Sequence, residues 1–140
     1  DHAYPPETEP FKADQSFPGK GGSVDWRKIR VPSGLMVSDD KYFKDSESFV
    51  FYVYAEVISP DDRQATACVG SDDGVKVWVN GALVHTNKAD RALKPDQDRV
   101  DISLKKGRNT VLVKLIQNFG QWGLSFRIDD PDDQLKYVLP

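Results

Sequence analysis

Residues 70–81 read GSDDGVKVWVNG, and this stretch decides the fold. An acidic loop that carries glycines leads directly into a segment in which apolar and other residues alternate. Val75, Val77 and Val79 fall on one side of that segment, because successive side chains of a β-strand point to opposite faces. The pattern predicts a strand with one core-facing surface.

The strand ends at Asn80-Gly81, a dipeptide typical of tight hairpin turns. Both central residues of such a turn adopt positive φ, which costs Asn and Gly less than other residues. The sequence therefore predicts a hairpin whose second strand runs over Ala82–Thr86.

Length and charge narrow the class of protein. The 140 residues are enough for one domain that buries about two-thirds of the surface its unfolded chain exposes. With 19 basic and 22 acidic residues the net charge is −3, so no broad basic surface is expected. Nucleic acid is not an expected partner. Membrane insertion is not expected either, because apolar runs fall far short of the roughly 20 residues needed to span a bilayer.

Cys68 is the single cysteine of the chain, which excludes an intrachain disulfide and a cysteine-cluster metal site. Its place in an alternating run favours a half-buried structural thiol. A nucleophilic cysteine needs a nearby base, and the two histidines are His2, near the terminus, and His85, in the hairpin.

The chain divides into a lead-in at residues 1–25 and a single β-sandwich domain at residues 26–140. The lead-in is rich in proline and glycine and shows little alternation, which predicts irregular structure packed on or preceding the sandwich. A short strand is predicted over Trp26–Val31. Polar sequence from Ser38 to Ser48 then predicts a long loop.

Alternation resumes at Phe49 and returns repeatedly, interrupted by turn signals such as Pro60-Asp61-Asp62 and Lys106-Gly107. No segment has a sustained 3.6-residue apolar period. The pattern predicts an all-β, antiparallel β-sandwich of the jelly-roll type. Its further strands are expected near residues 49–58, 64–69, 100–104, 111–116 and 122–128.

The order SDDGVKVWVNG, then a loop with an arginine and PDQD, then LKKGRNTVLVKLIQNFGQWGLSFRI, resembles galactose-binding-like jelly rolls. The sugar-binding domain of β-galactosidase-type hydrolases has a similar pattern. In it, a tryptophan and an Asn-Gly pair are followed later in the chain by a glycine and an asparagine. Lectin-like domains of the PA14 type share the "DDG" and "WVNG" elements. The resemblance covers about residues 48–129.

The resemblance implies a non-catalytic carbohydrate-binding module that targets an attached carbohydrate-active enzyme to a polysaccharide or oligosaccharide. The catalytic domain of the parent protein is then a partner, and the location is secreted or at the cell surface. The alternative is a structural spacer, or interdomain packing module, that binds no sugar. An enzyme is not indicated, because the chain lacks nucleophile, zinc-protease and phosphate-loop motifs.

The first candidate binding surface lies on the face of the strands opposite the core. Sugar rings stack on aromatic side chains while polar neighbours bond their hydroxyls. Alternatively, this face packs under the lead-in or a neighbouring domain. Its carbohydrate-binding candidates are Trp78, Lys76, Tyr52 and Tyr54, with Glu56, Lys114, Ser125 and Arg127 expected on the same face.

The second candidate surface is built from loops at the strand ends, where binding residues often gather. Arg91 can pair with a carboxylated sugar, or instead with Asp96 or Asp98. The remaining loop candidates are Asn118, Gln121 and Trp122, beside Asn87, Lys88, Asp90 and Phe119. Trp122 also fits the core side of the last predicted strand.

Asp72 and Asp73 are the candidate metal ligands, since Ca²⁺ prefers carboxylate oxygens. Two side chains supply few of the six to eight oxygens that Ca²⁺ takes, so an aspartate that caps a turn is favoured over calcium. No cofactor is required by the sequence, and a structural calcium is the single possibility it raises.

Overall fold

A computed structural model describes residues 2–19, 21–37 and 48–138. The chain forms two compact units that divide after Arg30, whereas the sequence predicts the division after Asp25. The long loop predicted between Ser38 and Ser48 falls almost entirely outside the described residues.

The first unit contains a short helix and a two-stranded antiparallel hairpin. Helix α1 spans Pro5–Thr8, and the hairpin consists of β1 at Ser16–Gly19 and β2 at Gly22–Asp25. Part of the predicted irregular lead-in is therefore regular structure. Pairing in the hairpin supplies backbone hydrogen bonds that local composition does not reveal.

The predicted strand over Trp26–Val31 is wrong, because residues 26–31 form no strand. Trp26 instead packs edge-on against two aromatic rings of its own unit, Phe11 at 5.2 Å and Phe17 at 6.2 Å between ring centroids. An aromatic side chain thus serves a local cluster here and not a strand of the sandwich.

The second unit is a sandwich of two antiparallel sheets. One sheet has five strands in the order β11-β4-β9-β6-β7, and the other has four in the order β3-β10-β5-β8. The strands are β3 (Leu35–Val37), β4 (Phe49–Ser59), β5 (Arg63–Asp72), β6 (Gly74–Val79), β7 (Ala82–Asn87), β8 (Asp98–Leu104), β9 (Gly107–Gln117), β10 (Gly123–Ile128) and β11 (Lys136–Val138).

The core lies between the two sheets and is formed by the alternating apolar residues. The five-stranded sheet contributes three buried valines of β6, Val75, Val77 and Val79, which are at most 4% exposed. From the other sheet, Leu124 of β10 and Ile102 of β8 enter the same cluster. The predicted all-β antiparallel sandwich is confirmed.

The Asn80-Gly81 hairpin turn is confirmed as well. Both residues have positive φ, 50° for Asn80 and 80° for Gly81. The Asn80 side chain accepts a hydrogen bond from the Thr110 amide at 2.9 Å, which ties the turn to β9. The second strand extends one residue beyond the predicted Ala82–Thr86.

Cys68 lies on β5 and is fully buried, where the sequence predicts half burial. Burial raises the pKa of its thiol above the ordinary value. A raised pKa lowers the thiolate fraction at neutral pH, which disfavours a nucleophilic role.

Candidate functional site

The outer face of the five-stranded sheet brings together the four aromatic and basic candidates. Tyr52 of β4 and Lys76 of β6 flank Lys114 of β9 in one cross-strand row. Tyr54 and Trp78 take the equivalent places in the next row. These four predicted residues therefore share one surface, which adjacent strands hold in fixed register.

This surface is only partly open to solvent. Tyr52, Tyr54, Lys76 and Trp78 are each half-buried, and Lys114 is 1% exposed. The Lys114 ammonium lies 5.8 Å from the centroid of the Tyr52 ring, within the range of a cation–π contact. The face is therefore half-covered and includes a buried lysine, so it is not a fully exposed aromatic platform.

Charges at the edge of this surface act on Tyr54. Its pKa is raised, first by burial and then by the carboxylate of Glu56. Glu56 is itself 6% exposed and accepts a 2.6 Å hydrogen bond from Arg108 Nη1. Tyr54 keeps its proton at neutral pH, so its hydroxyl remains a donor.

Ser125 and Arg127 do not belong to this surface, which corrects their predicted position. Both lie on β10 of the four-stranded sheet. Arg127 pairs there with Asp96 and Asp129. Alternation places a residue on one side of its own sheet, but it does not tell which of two sheets the strand joins.

The loop candidates gather at one end of the sandwich. The register brings the end of β5 beside the start of β10, pairing Asp72 with Gly123, and it pairs Gly74 at the start of β6 with Ile116 near the end of β9. At this end, the β5–β6 connection, the loop at residues 88–97 and the segment Asn118–Trp122 meet. We call this region the loop end.

Arg91 is turned inward at the loop end. Its Nη1 and Nη2 donate to the two carboxylate oxygens of Asp98 at 3.0 and 2.7 Å. Its Nε and Nη2 also donate to the backbone carbonyl and the hydroxyl of Ser71, at 3.2 and 3.1 Å. The internal pairing with Asp98, one of the two partners weighed for Arg91, is the one the structure contains.

Asp98 is the centre of a polar network that sequence reasoning largely missed. His85 Nε2 lies 2.9 Å from Asp98 Oδ2, and Asn87 Nδ2 donates to both oxygens. Arg91, followed by His85 and Asn87, holds the pKa of Asp98 well below its ordinary value. The network ties the edge strand β7, the loop and β8 together.

Two glycines let the same loop lie against the four-stranded sheet. A Cβ on Gly70 would stand 2.1 Å from the backbone oxygen of Lys94, and one on Gly123 would stand 2.6 Å from the Leu93 side chain. Glycine inside a strand often marks such a close approach. Gly70 and Gly123 are therefore the sign in the sequence that another segment approaches the sheet closely at these two positions.

Asp73 is 5% exposed and serves the local backbone. Its Oδ2 accepts a hydrogen bond from the Asn118 amide at 3.1 Å, and its carbonyl accepts one from the Ser71 hydroxyl at 2.7 Å. These bonds join the β5–β6 connection to the Asn118 segment. Asp73 therefore has a structural task whether or not a metal binds.

Asp72 is half-buried beside Asp73. Its pKa is raised by burial first, and then by the neighbouring carboxylates of Asp73 and Asp90. Among the described residues, no three His, Cys, Asp or Glu side chains are arranged to hold a metal ion. Calcium at Asp72 and Asp73 stays a prediction, and any such site needs backbone or ligand oxygens as well.

Phe119 is the most solvent-exposed large apolar residue that the structure describes, at 73%. It stands between the exposed candidates Asn118 and Gln121. The backbone on the C-terminal side of Phe119 is held in place, because Gln117 Nε2 donates to the carbonyls of Gly120 and Gln121 at 2.9 and 3.2 Å. A bare aromatic ring with amide neighbours is therefore presented at the loop end.

Trp122 belongs to the core, which corrects its place among the binding candidates. Its side chain is 2% exposed and packs against Phe51 at 5.0 Å and Phe49 at 6.4 Å between ring centroids. A ring without an exposed face cannot stack on a sugar from solvent. The core side of the last predicted strand was the correct alternative for Trp122.

Two facing antiparallel sheets, with three loops meeting at one end, define a β-sandwich. A solved structure that shares this fold is a family 35 carbohydrate-binding module from an environmental isolate. The TM-score is 0.52 at 18% sequence identity, and the match covers 67% of this chain and 75% of that one. The likeness confirms the predicted fold.

Comparisons of sequence gave no such match. No protein-family model matches the chain. No curated protein matches it either. In the part of the chain that the structure describes, no helix is long and apolar enough to cross a membrane.

Proposed function

We propose that this chain is a non-catalytic carbohydrate-binding module that holds an attached carbohydrate-active enzyme near a polysaccharide. Such a module raises the effective concentration of the enzyme at its substrate without acting on a bond. The proposal includes a secreted or cell-surface location. The shared fold with a solved carbohydrate-binding module supports it.

The observation that carries the proposal is the exposed ring of Phe119 at the loop end. Keeping an apolar ring in water is unfavourable, so its 73% exposure favours a contact that covers it. The apolar C–H face of a sugar fits an aromatic ring, and hydroxyls at its edge fit amide groups. Asn118 and Gln121 supply amides on either side of Phe119.

Trp78, Lys76, Tyr52 and Tyr54 remain a second proposed contact surface, which a long polysaccharide reaches separately from the loop end. Their half burial also favours the alternative function, a spacer or interdomain packing module that binds no sugar. The two functions differ in one measurable respect, because only a binding module is retarded by a glycan.

The test is affinity electrophoresis of the full chain in gels that contain soluble polysaccharides, with the Phe119→Ala variant beside the wild type. We expect Phe119→Ala to raise the dissociation constant obtained from the retardation at least about tenfold. This corresponds to about 1.4 kcal/mol of binding free energy, as for other exposed aromatic anchors. Tyr137→Ala is the matched control, since Tyr137 is 56% exposed on β11, at the opposite end of the sandwich from Phe119.

No retardation on any neutral or acidic glycan would leave the spacer as the function. Equal retardation of wild type and Phe119→Ala would move the contact to the sheet face, where Trp78→Ala is the next variant. Repeating the gels with EDTA tests the calcium prediction, because a site at Asp72 and Asp73 loses retardation on chelation.

A further inference from the structure

The sequence suggests that Arg91 binds carboxylated sugars, but in the structure Arg91 binds Asp98 and Ser71 instead. Both Asp98 oxygens and both Ser71 acceptors are bonded to its guanidinium, at distances from 2.7 to 3.2 Å. Its side chain is 21% exposed and that of Asp98 is 14% exposed. Arg91 therefore already makes its bidentate pair with a carboxylate inside the protein, and that carboxylate is Asp98.

Releasing Arg91 to a ligand would disrupt the loop end itself. Asp98 would keep His85 and Asn87 but lose its guanidinium partner, and removing one partner of a largely buried ion pair is strongly destabilising. The Ser71 carbonyl would also lose its side-chain donor. A carboxylated sugar would have to compensate for both losses before it gained affinity.

Three carboxylates at the loop end add to this effect. Asp72 and Asp73 lie where β5 leads into β6, and Asp90 is exposed in the loop at residues 88–97. Lys88 and Lys94 are exposed in the same loop, while the Lys94 backbone lies against Gly70 of the neighbouring sheet. Among the residues that the structure describes here, these three carboxylates outnumber the two exposed lysines of the loop.

We propose that the loop end selects uncharged glycans and rejects glycans that carry carboxylates, because Arg91 is a positioning residue bound to Asp98 and Ser71. The inference rests on the proposed function and assigns its ligand class. Phe119 then supplies the stacking surface, and the amides beside it supply hydrogen bonds to hydroxyls. Uronate polymers meet the carboxylates of this end, while Arg91 is bound to Asp98 and Ser71.

The experiment compares matched pairs of soluble polymers by affinity electrophoresis of the full chain in EDTA. The pairs are fully methyl-esterified and de-esterified pectin, and hydroxyethyl cellulose and carboxymethyl cellulose. For every pair that retards the chain, we expect the uncharged member to bind at least tenfold more tightly. Raising the salt concentration should narrow the difference, because salt screens the repulsion.

Each other outcome overturns the inference. Equal or tighter binding of a carboxylated member in EDTA would show that the loop end accepts uronates, while the proposed binding function would stand. Carboxylate preference that appears only with added Ca²⁺ would overturn it as well and would support a cation at Asp72 and Asp73. Absence of binding to every polymer would remove the proposed function, and this inference with it.

Two sets of variants separate charge from folding. Asp72→Asn with Asp90→Asn removes two carboxylates at the loop end, and we expect the tenfold preference to fall at least threefold. Asp132→Asn with Asp133→Asn, in exposed positions at the opposite end, makes the same change in net charge and should leave the preference unchanged. Asp90→Asn alone, at an exposed position, replaces the pair if the double variant melts early.

Arg91→Lys tests the positioning role directly. Lysine keeps the charge but cannot bond Asp98 and Ser71 together in the same way. We expect binding of the preferred uncharged polymer to weaken along with the melting temperature. A variant that lost only binding to carboxylated polymers would show that Arg91 contacts ligand, and the proposal would be wrong.

Discussion

Asn109 is fully buried at the start of β9, and its amide group satisfies several neighbours at once. Its Oδ1 accepts hydrogen bonds from the Lys105 amide at 2.8 Å and from Asn80 Nδ2 at 2.9 Å. Its Nδ2 donates to the carbonyls of Lys105 and Gly107 at 2.8 and 3.1 Å. One side chain thus joins the β8–β9 turn to the Asn80 hairpin.

Asn109→Ala should lower the free energy of unfolding by about 2–4 kcal/mol, because it leaves buried donors and acceptors without partners. Urea unfolding followed by tryptophan fluorescence measures the change. Asn118→Ala is the control, since Asn118 is exposed, and it should change stability by no more than about 0.5 kcal/mol. Equal effects of the two substitutions would contradict the role given to Asn109.

Single residues differ in how well their positions follow from the sequence. The positions of Val75 and Trp78 follow from alternation, because period two is a property of the strand itself. The pairing of Arg91 with Asp98 does not, since several acidic residues lie within reach along the chain. Which partner wins depends on how the loop lies against Gly70 and Gly123.

At the scale of elements, the loop at residues 88–97 is fixed to the sandwich mainly through Asp98. Its carboxylate joins β8, where it lies, to Arg91 in the loop and to His85 and Asn87 of β7. These partners hold the pKa of Asp98 far below that of an unfolded aspartate. The stability of this connection therefore depends on pH.

A depressed pKa stabilises the fold at every pH above the ordinary aspartate value of about 3.9, and this contribution is lost as the pH falls below it. We expect Asp98→Asn to be clearly less stable than the wild type at pH 7. The difference should shrink towards pH 2, because Asp98 takes up a proton in the unfolded wild type while the folded protein resists that protonation, so acid favours the unfolded wild type. Melting temperatures of both proteins between pH 2 and pH 7 measure it.

Asp101→Asn is the control for this pH series, because Asp101 lies on the same strand in an exposed position. Its melting curve should follow the wild type throughout. A constant difference between Asp98→Asn and the wild type from pH 7 down to pH 2 would mean that shape, and not charge, fixes the loop.

The longer strands of the sandwich are readable from the sequence, and the short ones are not. β4 and β9 are each eleven residues long, and the sequence predicts ten residues of β4 and six of β9. β3 and β11 have three residues each, too few to establish a period. They become strands because β10 and β4 offer them an open edge.

At the scale of the whole molecule, the sequence predicts the sandwich but not the assignment of strands to its two sheets. Ser125 and Arg127 alternate as expected and still lie on the other sheet, because β10 pairs with β5 and β3. Sheet order depends on contacts far apart in the chain. The loop end could not be predicted for the same reason, because its three loops meet only once the strands have taken their order in the two sheets.

The core of the sandwich is drawn wholly from the second unit, and this predicts that the first unit is dispensable for folding. Among the described residues, the core cluster and the residues packed against it begin at Val31. About 110 residues are ample for a domain to fold alone. A fragment that starts at Val31 should unfold cooperatively in urea and keep dispersed amide signals in NMR spectra.

A second fragment that starts at Ser48 provides the comparison. It lacks β3 and with it the core residue Met36, which is 5% exposed, and it leaves one edge of β10 without a partner. Loss of a buried methionine side chain typically costs about 2–5 kcal/mol, so this fragment should be markedly less stable than the Val31 fragment. Broad, non-cooperative unfolding of the Val31 fragment would show instead that residues before Val31 are needed to complete the fold.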